Sequence, residues 1–465
     1  MGESIYNYDK KTGRVTTAVY TADEAVDKLI NGKRPEKKLF KSTAVESFIN
    51  TVKIEAKDRE LAKLFENCFP NTLDTTTYYS EINGVPDTYV ITGDIDAMWL
   101  RDSTAQVSAY LPLIKEDLKL KKMIEGVINR QSKYISIDPY ANSFNKDKGN
   151  SPWMTDFTDM KAELHERKWE IDSLCNHVRL SYKYYKTAED SSVFTSSWEK
   201  SAKIIYQTFK NQQRKERDDY YRFQRLTPVA TDTLVDNGLG NPVKPVGLIA
   251  SSFRPSDDAT ILPFLIPANF FAIISLKQIA EIMQEIYEDA DFAKQCIELA
   301  EEVETAIYKY GVVEHKKYGK IFAYEVDGYG SHILIDDANV PSLISLPYLG
   351  CIDVKNELYR NTRKFLLSPD NPWFFEGKDI TGMGSVHTGR RYVWPIGIII
   401  QALTSIDFKE KRKCIDFIKN THAGTYFIHE GINADNQFDY SRKWFAWANT
   451  LFGELLMNTW NEENF

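Results

Sequence analysis

Hydrophobic positions recur along most of the chain at a spacing of three to four residues, which is typical of amphipathic helices. The clearest stripe is followed by Gly311, where a helix commonly ends, and consists of Phe292, Cys296, Leu299, Val303, Ile307 and Tyr310. A second stripe consists of Val107, Tyr110, Leu111, Ile114 and, after a break, Met123 and Val127. We predict further helices over 41–66, 173–187, 194–213, 261–287, 353–366, 392–404, 408–420 and 443–458. Helices are therefore expected from one end of the chain to the other.

Strand-like segments are short and few. One covers residues 88–92, and two more, 321–326 and 332–335, flank Asp327-Gly328, a dipeptide that favours a hairpin turn. No strict repeat and no linker rich in Gly, Ser or Pro divides the sequence. We therefore predict an all-α fold with short β-hairpin insertions, in which paired helices close into a toroid over residues 41–465. Residues 1–40 are polar and become basic toward their end, and they are predicted to form an N-terminal arm.

Composition argues against several classes of protein. Of the 465 residues, 43% are hydrophobic and 27% are charged, which is typical of a globular chain rather than a disordered one. The longest apolar runs, 261–276 and 392–403, are interrupted and fall short of the ~20 residues that span a bilayer, so no membrane association is expected. The net charge of −8 provides no basic footprint for a nucleic acid.

Cysteine usage favours a reducing compartment. The five cysteines are scattered without a CxxC spacing, so we expect free thiols rather than disulfides. Residues 1–20 lack the apolar segment of a secretory signal. We therefore expect a cytoplasmic protein that acts as a monomer or as a weak homo-oligomer.

Six polar segments between the predicted helices contain, taken together, many carboxylates, aromatic residues and glycines. They are 93–103, 169–173, 253–259, 336–342, 384–389 and 429–433. Connecting segments carry function more often than core elements do. Several of them, spaced along the whole chain, are expected to assemble one site at one face of the toroid.

Other chemistries lack their motifs. The seven histidines form no HxH or HExxH pair, so a zinc site is not indicated. Asp336-Asp337 with Asn339 lacks the residue order of a calcium loop and is more typical of a turn. No GxSxG, GxxxxGK[ST] or GxGxxG segment occurs. We therefore expect neither a metal ion nor a cofactor.

Carboxylates among aromatic side chains fit the needs of sugar hydrolysis. One carboxyl must protonate the leaving oxygen, and a second must activate water or attack the anomeric carbon. Aromatic faces stack on the C–H faces of a sugar ring, and aromatic residues make up 13% of this chain, with 26 Tyr, 25 Phe and 9 Trp. Several of the tryptophans lie in or beside the polar segments. This combination is compatible with a carbohydrate enzyme.

These segments resemble those of glycoside hydrolase family 125, the exo-acting α-1,6-mannosidases. The similarity is carried, in the family's order, by 93–103 (GDIDAMWLRDS), 169–174 (WEIDSL), 254–259 (RPSDDA), 336–342 (DDANVPS) and 442–455 (RKWFAWANTLFGEL). It covers about residues 41–465. The resemblance implies an (α/α)6 toroid as a single catalytic domain. It also implies metal-independent removal of non-reducing terminal mannose from oligosaccharides or N-glycan fragments, with inversion at the anomeric carbon.

The resemblance further implies a general acid in RPSDDA and a general base in the HEG segment. Asp257 and Asp258 compete for the acid role. Because a helix is predicted to begin at Ala259, Asp258 is placed as its N-cap, and we choose Asp257 as the acid that faces the site. Its pKa is expected to be raised by apolar or like-charged surroundings. Glu430 is the predicted base, with its carboxyl ~6.5–9.5 Å from that of Asp257, and Glu376 is its rival.

Further residues are predicted to bind the sugar. They are Trp99, Arg101, Asp102, Asp172, Asp258, Glu376, His387 and Trp394. Alternatives remain for three kinds of residue: Asp102 as a structural ion pair with Arg101, Asp172 as the cap of a helix from Ser173, and the tryptophans as core residues.

Two other functions stay open. Another inverting glycosidase, such as an α-glucosidase or a trehalase-like enzyme, would share the toroid. A non-catalytic carbohydrate-binding helical protein would also present aromatic residues and carboxylates. Such a protein is free to lose either of the two carboxyls that hydrolysis needs, whereas both are present here.

Overall fold

The computed structural model describes residues 6–9, 14–17, 32–149, 151–216 and 221–463. For residues 6–9, 14–17 and 461–463 it describes the backbone alone. Most of the predicted arm, residues 1–40, lies outside the described residues. The end of that segment packs on the rest of the chain, because Arg34 donates to Asp74 and Glu46 and Phe40 is buried.

Helices account for most of the described secondary structure. They are α1 (Thr43–Glu55), α2 (Arg59–Cys68), α3 (Asn71–Thr75), α4 (Leu100–Ser108), α5 (Leu118–Ile137), α6 (Ile171–Ala188), α7 (Ser196–Gln212), α8 (Val235–Gly238), α9 (Ile266–Glu285), α10 (Ala290–Tyr310), α11 (Glu357–Leu366), α12 (Pro395–Leu403), α13 (Phe408–Asn420) and α14 (Ala446–Glu463).

The strands are short and pair antiparallel in small sheets. They are β1 (Tyr6–Asp9), β2 (Arg14–Thr17), β3 (Thr77–Ile82), β4 (Val85–Val90), β5 (Met98–Trp99), β6 (Ser143–Phe144), β7 (Leu164–Glu166), β8 (Phe264–Leu265), β9 (Val312–His315), β10 (Gly319–Phe322), β11 (Glu325–Val326), β12 (His332–Ile333), β13 (Phe374–Glu376), β14 (Thr381–Met383), β15 (Tyr392–Val393), β16 (Gly431–Asn433) and β17 (Asn436–Ser441).

The helices form a ring with a second layer behind it. Helices α4, α6, α9, α12 and α14 belong to the inner layer, in which α14 packs on α4, α4 on α6, α6 on α9, and α12 on α14. Helices α5, α7, α10 and α13 lie outside them, with α10 against α9 and α13 against α12. One continuous hydrophobic core fills the space between the layers. The predicted all-α class and (α/α)6 toroid are confirmed.

Helices differ in how they begin. Six of them, including the outer helices α5, α10 and α13, begin with a side chain that accepts from the first-turn backbone; the capping residues are Ser42, Asp58, Asp117, Asp289, Asn356 and Asp407. The outer helix α7 has no such bond from Thr195. The inner helices α4, α6, α9 and α12 have no such side-chain bond, and their cap positions hold Trp99, Glu170, Leu265 and Trp394. The starts of the inner helices are therefore fixed by their surroundings rather than by a local capping residue.

The helix predicted from Ala259 in fact begins at Ile266, and Asp258 is not its cap. Two prolines explain the difference. Pro263 disfavours helical backbone at the residue before it, whereas Pro267 is tolerated in the first turn, where no intrahelical N–H bond is lost. Strand β8 occupies residues 264–265 and pairs with β11.

The strand predictions are confirmed in part. Residues 88–90 lie in β4, which pairs with β3. The hairpin around Asp327-Gly328 forms between β11 and β12. Of the predicted strand 321–326, only Glu325 and Val326 join this hairpin, because Ile321 and Phe322 pair with β9 instead. Each strand is short because it only connects helices at the rim of the toroid.

One helix in the described residues, α9, is long and apolar enough to cross a membrane by length and composition. Its mean hydropathy is 1.2, and 78% of its most apolar window is buried inside the protein. Such burial is what a core helix of the inner ring shows, so its hydrophobicity is explained by packing.

Candidate active site

The polar segments singled out in the sequence converge at the N-terminal ends of the inner helices. Arg101 and Asp102 lie in the first turn of α4, and Asp172 lies in the first turn of α6. The 253–259 segment precedes α9, His387 precedes α12, and Glu430 precedes α14. The inner helices enter the ring from one face, and these five segments, distant in sequence, therefore meet there.

A tight turn presents Asp257. The backbone N–H of Asp257 donates to the carbonyl of Arg254, and the N–H of Arg254 donates to the carbonyl of Asp258. Asp257 itself has a φ of 65°, in the left-handed region that a non-glycine residue adopts at an energetic cost. The Nζ of Lys168 donates to the Asp257 carbonyl at 2.8 Å and holds the turn from outside. The positive φ of Asp257 and its bond with Lys168 indicate that the fold constrains the direction of the Asp257 side chain.

The two carboxylate oxygens of Asp257 differ sharply. Oδ1 accepts three N–H groups: Nε1 of Trp99 at 3.3 Å, Nη2 of Arg101 at 3.2 Å and Nδ2 of Asn142 at 3.1 Å. Among the described residues no N–H or hydroxyl group donates to Oδ2. The side chain is 24% exposed, while its partner Arg101 is only 3% exposed. Oδ2 is thus the oxygen left available to an incoming group.

Arg101 is the centre of a buried cluster of four carboxyls. Its Nη1 lies 2.6 Å from Glu170 and 3.3 Å from Asp172, and its Nε lies 3.5 Å from Asp102. Burial raises the pKa of Asp172 and of Asp102 to about 6, although Arg101 opposes both shifts. Burial also raises the pKa of Glu170 well above its ordinary value, and the neighbouring Asp257 raises it further.

The expectation of a raised pKa for Asp257 is wrong. Burial by itself would raise that pKa, but the charges of Arg101 and Lys168, together with Glu170 and His387, lower it below the ordinary value. Asp257 has cationic and hydrogen-bonding neighbours where apolar or like-charged ones were expected.

Asp258 points away from Asp257 and binds His387. Its Oδ1 accepts from the hydroxyl of Thr231 at 2.6 Å, and its Oδ2 lies 3.3 Å from Nδ1 of His387. Asp258 is buried, whereas the side chain of His387 is 36% exposed. Desolvation by itself would lower the pKa of His387, but Asp258, Glu430 and Asp257 raise it to about 9. Asp258 therefore orients a charged imidazolium at the edge of the site.

We expect charged His387 to stabilise the folded protein. Its pKa rises from 6.5 to about 9 on folding, so this stabilisation is complete below about pH 6.5 and is lost as the pH rises through about 9. The free energy of unfolding, measured with urea between about pH 6 and about pH 10, should therefore fall more steeply in the wild type than in His387→Asn. Parallel pH dependences would show that the pair with Asp258 does not form.

Glu430 is held by the end of β17 and by the residue that follows it. The hydroxyl of Ser441 donates to its Oε2 at 3.0 Å, and Nη1 of Arg442 lies 3.5 Å from its Oε1. Arg442 is fixed in turn by Asp94, to which its Nε donates at 2.9 Å. Glu430 contributes to the pKa shifts of both His387 and Asp102, which places it in the same electrostatic cluster as Asp257.

Gly93 makes this arrangement sterically feasible. Its φ is 134°, and a Cβ at this position would lie 2.5 Å from the carbonyl oxygen of Trp444. The close approach lets the backbone N–H of Asp94 donate to that carbonyl. The loop that carries Asp94 is thereby seated against the start of α14.

The tryptophans are mainly core residues. Trp394 is 2% exposed; its Nε1 donates to Thr388, and its ring packs edge-on against His387. It therefore positions neighbouring groups, and a direct contact with the sugar stays a prediction. Trp169 and Trp447 are buried as well. Trp99 is the predicted sugar-binding tryptophan that remains at the site, through its bond to Asp257.

Three other predicted roles have different outcomes. Asp102 forms the ion pair with Arg101 that was its alternative, and a sugar contact stays a prediction. Asp172 does not cap its helix, because α6 begins at Ile171 with Glu170 at the cap position. Glu376 is exposed in β13, and within the described residues no hydrogen bond joins its carboxylate to the cluster.

Several residues at the site were missed by sequence reasoning. They are Asp94, Asn142, Lys168, Glu170 and Arg442. Asp94, Glu170 and Arg442 stand inside segments that carry the family resemblance, so a charged residue within those segments was the available signal. Asn142 and Lys168 offer no comparable local signal, because their partners are distant in sequence.

The Asp336-Asp337 pair behaves as a turn. Asp336 accepts the backbone N–H groups of Leu343 and Ile344 at 2.9 and 3.0 Å, and Asp337 accepts from Ser256. In the part of the chain with described side chains, no group of three or more His, Cys, Asp or Glu residues is arranged to hold a metal ion. The calcium interpretation therefore has no support in this geometry.

Comparisons with known proteins agree with the site. Residues 58–457 match the family described as metal-independent α-mannosidases, glycoside hydrolase family 125. The chain is 41% identical over 439 residues to the meiotically up-regulated gene 157 protein of Schizosaccharomyces pombe, covering 90% of this chain and 86% of that protein.

Solved structures show the same relationship. A metal-independent α-mannosidase of Streptococcus pneumoniae, determined as a non-productive substrate complex with α-1,6-mannobiose, is 39% identical and superposes with a TM-score of 0.88. That match covers 91% of this chain and 99% of the other. A bacterial glucoamylase complexed with acarbose superposes with a TM-score of 0.57 at 12% identity, covering 90% of this chain and 58% of that one, and shows the shared fold alone.

Proposed function

The chain belongs to glycoside hydrolase family 125, the metal-independent α-mannosidases, and from that premise we propose that it is an inverting exo-α-1,6-mannosidase. Its substrates in this proposal are oligosaccharides or N-glycan fragments with a non-reducing terminal mannose. The binding of α-1,6-mannobiose by the Streptococcus pneumoniae relative supports this linkage.

The observation that carries the proposal is the unequal pair of oxygens on Asp257. Three N–H donors occupy Oδ1, which prevents that oxygen from carrying a proton. A proton on Asp257 must therefore sit on Oδ2, the oxygen open to an incoming group. This is the geometry of a general acid that protonates a glycosidic oxygen.

Glu430 supplies the other half of the reaction. Its carboxylate removes a proton from a water molecule, and the water oxygen bonds to the anomeric carbon from the face opposite the leaving group. The bond from the anomeric carbon to the glycosidic oxygen breaks, and that oxygen receives the proton of Asp257. An α-mannoside then yields β-mannose. The separation of ~6.5–9.5 Å between the two carboxyls stays a prediction.

The alternative functions receive less support. The glucoamylase superposition shows the toroid without indicating an α-glucosidase, because one fold serves many chemistries. A non-catalytic binding protein would not need to hold one oxygen of Asp257 with three donors while leaving the other oxygen open. The family match over residues 58–457 favours mannose over glucose.

We expect purified protein to release mannose from α-1,6-mannobiose faster than from α-1,2- or α-1,3-mannobiose. NMR of the first-formed product should show the β-anomer, and EDTA should leave the rate unchanged. Hydrolysis of another linkage at a higher rate would overturn the linkage proposal. An α-anomer would show retention and would place the two carboxyls only ~5 Å apart.

We also propose a cytoplasmic location and a monomeric or weakly self-associating state. The described cysteines support the location, since Cys68, Cys175, Cys296, Cys351 and Cys414 are all free thiols. Cell fractionation and light scattering of the active protein would test these two proposals.

A further inference from the structure

Lys168 is a buried lysine between β7 and α6, and its ammonium contacts the turn at residues 254–258 that carries Asp257. The side chain is 4% exposed. Its Nζ lies 2.8 Å from the carbonyl oxygen of Asp257, 2.5 Å from Oδ1 of Asp232 and 3.3 Å from Oε1 of Glu166. An ammonium group has three N–H donors, which matches these three oxygens in number. The position of Nζ is therefore fixed from three directions.

Backbone pairing places Lys168 beside this turn. The carbonyl of Trp169 accepts the backbone N–H of Phe253, the residue before the turn, at 3.0 Å. The Nε1 of Trp169 also donates to the carbonyl of Ala250 at 2.8 Å. These two bonds fasten the segment that contains Lys168 to the segment that leads into the turn.

The same segment determines a second contact with Asp257. The backbone N–H of Lys168 donates to Oδ1 of Asn142 at 3.1 Å. The Nδ2 of Asn142 donates to Oδ1 of Asp257 at 3.1 Å and to Oε2 of Glu166 at 2.9 Å. Asp257 is thus held at its carbonyl oxygen by the side chain of Lys168 and at Oδ1 through Asn142. With both points held, the direction of Oδ2 is set.

The backbone conformation of Asp257 depends on such restraints. Its φ is 65°, and a non-glycine residue keeps a conformation of this kind only where the surrounding structure imposes it. The bonds within the turn provide part of that restraint, and the bond from Lys168 provides a restraint from outside the turn.

The charge of Lys168 does not by itself explain its position. Burial raises the pKa of Asp257, and the charges of Arg101 and then of Lys168 lower it. A lowered pKa disfavours the protonated form that a general acid needs. A cation next to Asp257 is therefore unfavourable for the supply of a proton, whereas its bond to the carbonyl is favourable for the geometry of the turn.

We propose that Lys168 is a positioning residue for the general acid, because its ammonium holds the Asp257 carbonyl and thereby directs Oδ2 toward the glycosidic oxygen. This inference rests on the proposed glycosidase function. Lys168 takes no part in the proton transfer itself. It acts on the leaving-group step only through the placement of Asp257.

The test is Lys168→Met, which keeps a long apolar side chain and removes the ammonium. Asp232 and Glu166 retain their ion pairs with Arg225, at 3.0 and 2.9 Å, so the surrounding network keeps a cation. The variant should lower kcat on α-1,6-mannobiose by about 10- to 100-fold, because a small displacement of a catalytic group has effects of this size. KM should change by about 2-fold or less.

The leaving group shows which step is affected. A dinitrophenyl α-mannoside departs without protonation, so it does not need a correctly placed acid. Its rate in Lys168→Met should stay within about 3-fold of the wild-type rate. A purely structural role of Lys168 would instead lower the rates on both substrates by the same factor.

Arg130→Met is the matched control. Arg130 is likewise a buried cation that pairs with a carboxylate, Asp87, and donates to a backbone carbonyl, that of Lys146, at 3.0 Å. Its partners do not include Asp257. The variant should lower the melting temperature but keep the wild-type ratio of the rates on the two substrates.

Crystal structures of both variants test the same inference without an assay. In Arg130→Met the carbonyl oxygen and Oδ2 of Asp257 should keep their wild-type positions. In Lys168→Met both oxygens should be displaced, because the bond that holds the carbonyl is absent.

The outcomes separate the two proposals. An equal loss on both substrates in Lys168→Met, or an unmoved turn in its crystal structure, would overturn the role of Lys168. A wild type inactive on both substrates would overturn the proposed function, and the crystal structures would still test how the turn is held. If Lys168→Met does not fold, Asp232→Ala removes one of the three oxygens around Nζ. It should show the same selective loss on the disaccharide, by about 3- to 10-fold, and an equal loss on both substrates would again overturn the role.

Discussion

Asp257→Asn should lower kcat on α-1,6-mannobiose by about 10²- to 10⁴-fold, the usual contribution of a general acid. Asparagine fills the same volume, and its Oδ1 can still accept from Trp99, Arg101 and Asn142. It has no proton to give to the glycosidic oxygen, so the loss falls on the transition state. KM should change little, because ground-state binding of the sugar does not depend on that proton. Steady-state kinetics on the disaccharide measure both quantities.

An activated leaving group distinguishes the two aspartates of the turn. A dinitrophenyl α-mannoside departs without protonation, so Asp257→Asn should recover most of the wild-type rate on it. Asp258→Asn should not recover in this way, because Asp258 acts by orienting His387. If recovery appeared in Asp258→Asn and not in Asp257→Asn, the acid role would belong to Asp258.

Glu430→Gln should also lower kcat by about 10²- to 10⁴-fold, but with the opposite substrate dependence. Glutamine retains contacts with Ser441 and Arg442, yet it cannot take a proton from the attacking water. The variant should therefore remain slow on the dinitrophenyl substrate as well. Added azide, which needs no deprotonation to attack, should restore the rate and give β-mannosyl azide, which NMR identifies.

Glu376 provides the comparison for this prediction. It was the rival base in the sequence, and the structure places it exposed in β13. Azide rescue in Glu376→Gln but not in Glu430→Gln would transfer the base role to Glu376. Formation of α-mannosyl azide in Glu430→Gln would contradict inversion, since azide would then have attacked from the leaving-group face.

A local capping residue accounts for the accuracy of one helix prediction and its absence for the error of another. Helix α13 was predicted at 408–420 and is observed as Phe408–Asn420, because Asp407 caps it and an amphipathic stripe follows. The inner helix α9 was predicted to begin seven positions too early, since it has no capping side chain and begins after an extended segment paired with β11. Hydrophobic periodicity predicts where a helix lies. When tertiary pairing determines the first residue of the helix, the local sequence contains no signal for it.

The site residues were predicted to the extent that they stand in recognisable segments. Arg101, Asp102, Asp172, Asp257, Asp258 and His387 are brought together as expected, and Glu430 lies in the same electrostatic cluster. Asn142 was not predicted, because its bond to Asp257 spans 115 positions of sequence. The burial of Trp394 could likewise not be predicted from the residues next to it in the sequence.

The sequence by itself determined the helical class, the toroid through its resemblance, and the identity of the two carboxyls proposed for catalysis. These properties can be predicted from sequence because periodic patterns and short motifs are local, so a single stretch of the chain contains all the information for each of them. Only the tertiary structure decided the direction in which the pKa of Asp257 shifts. Burial would raise that pKa, but it is lowered because the charges of Arg101 and Lys168 approach Asp257 from two separate segments. An ionisation equilibrium depends on the distances to every neighbouring charge, and folding alone sets those distances.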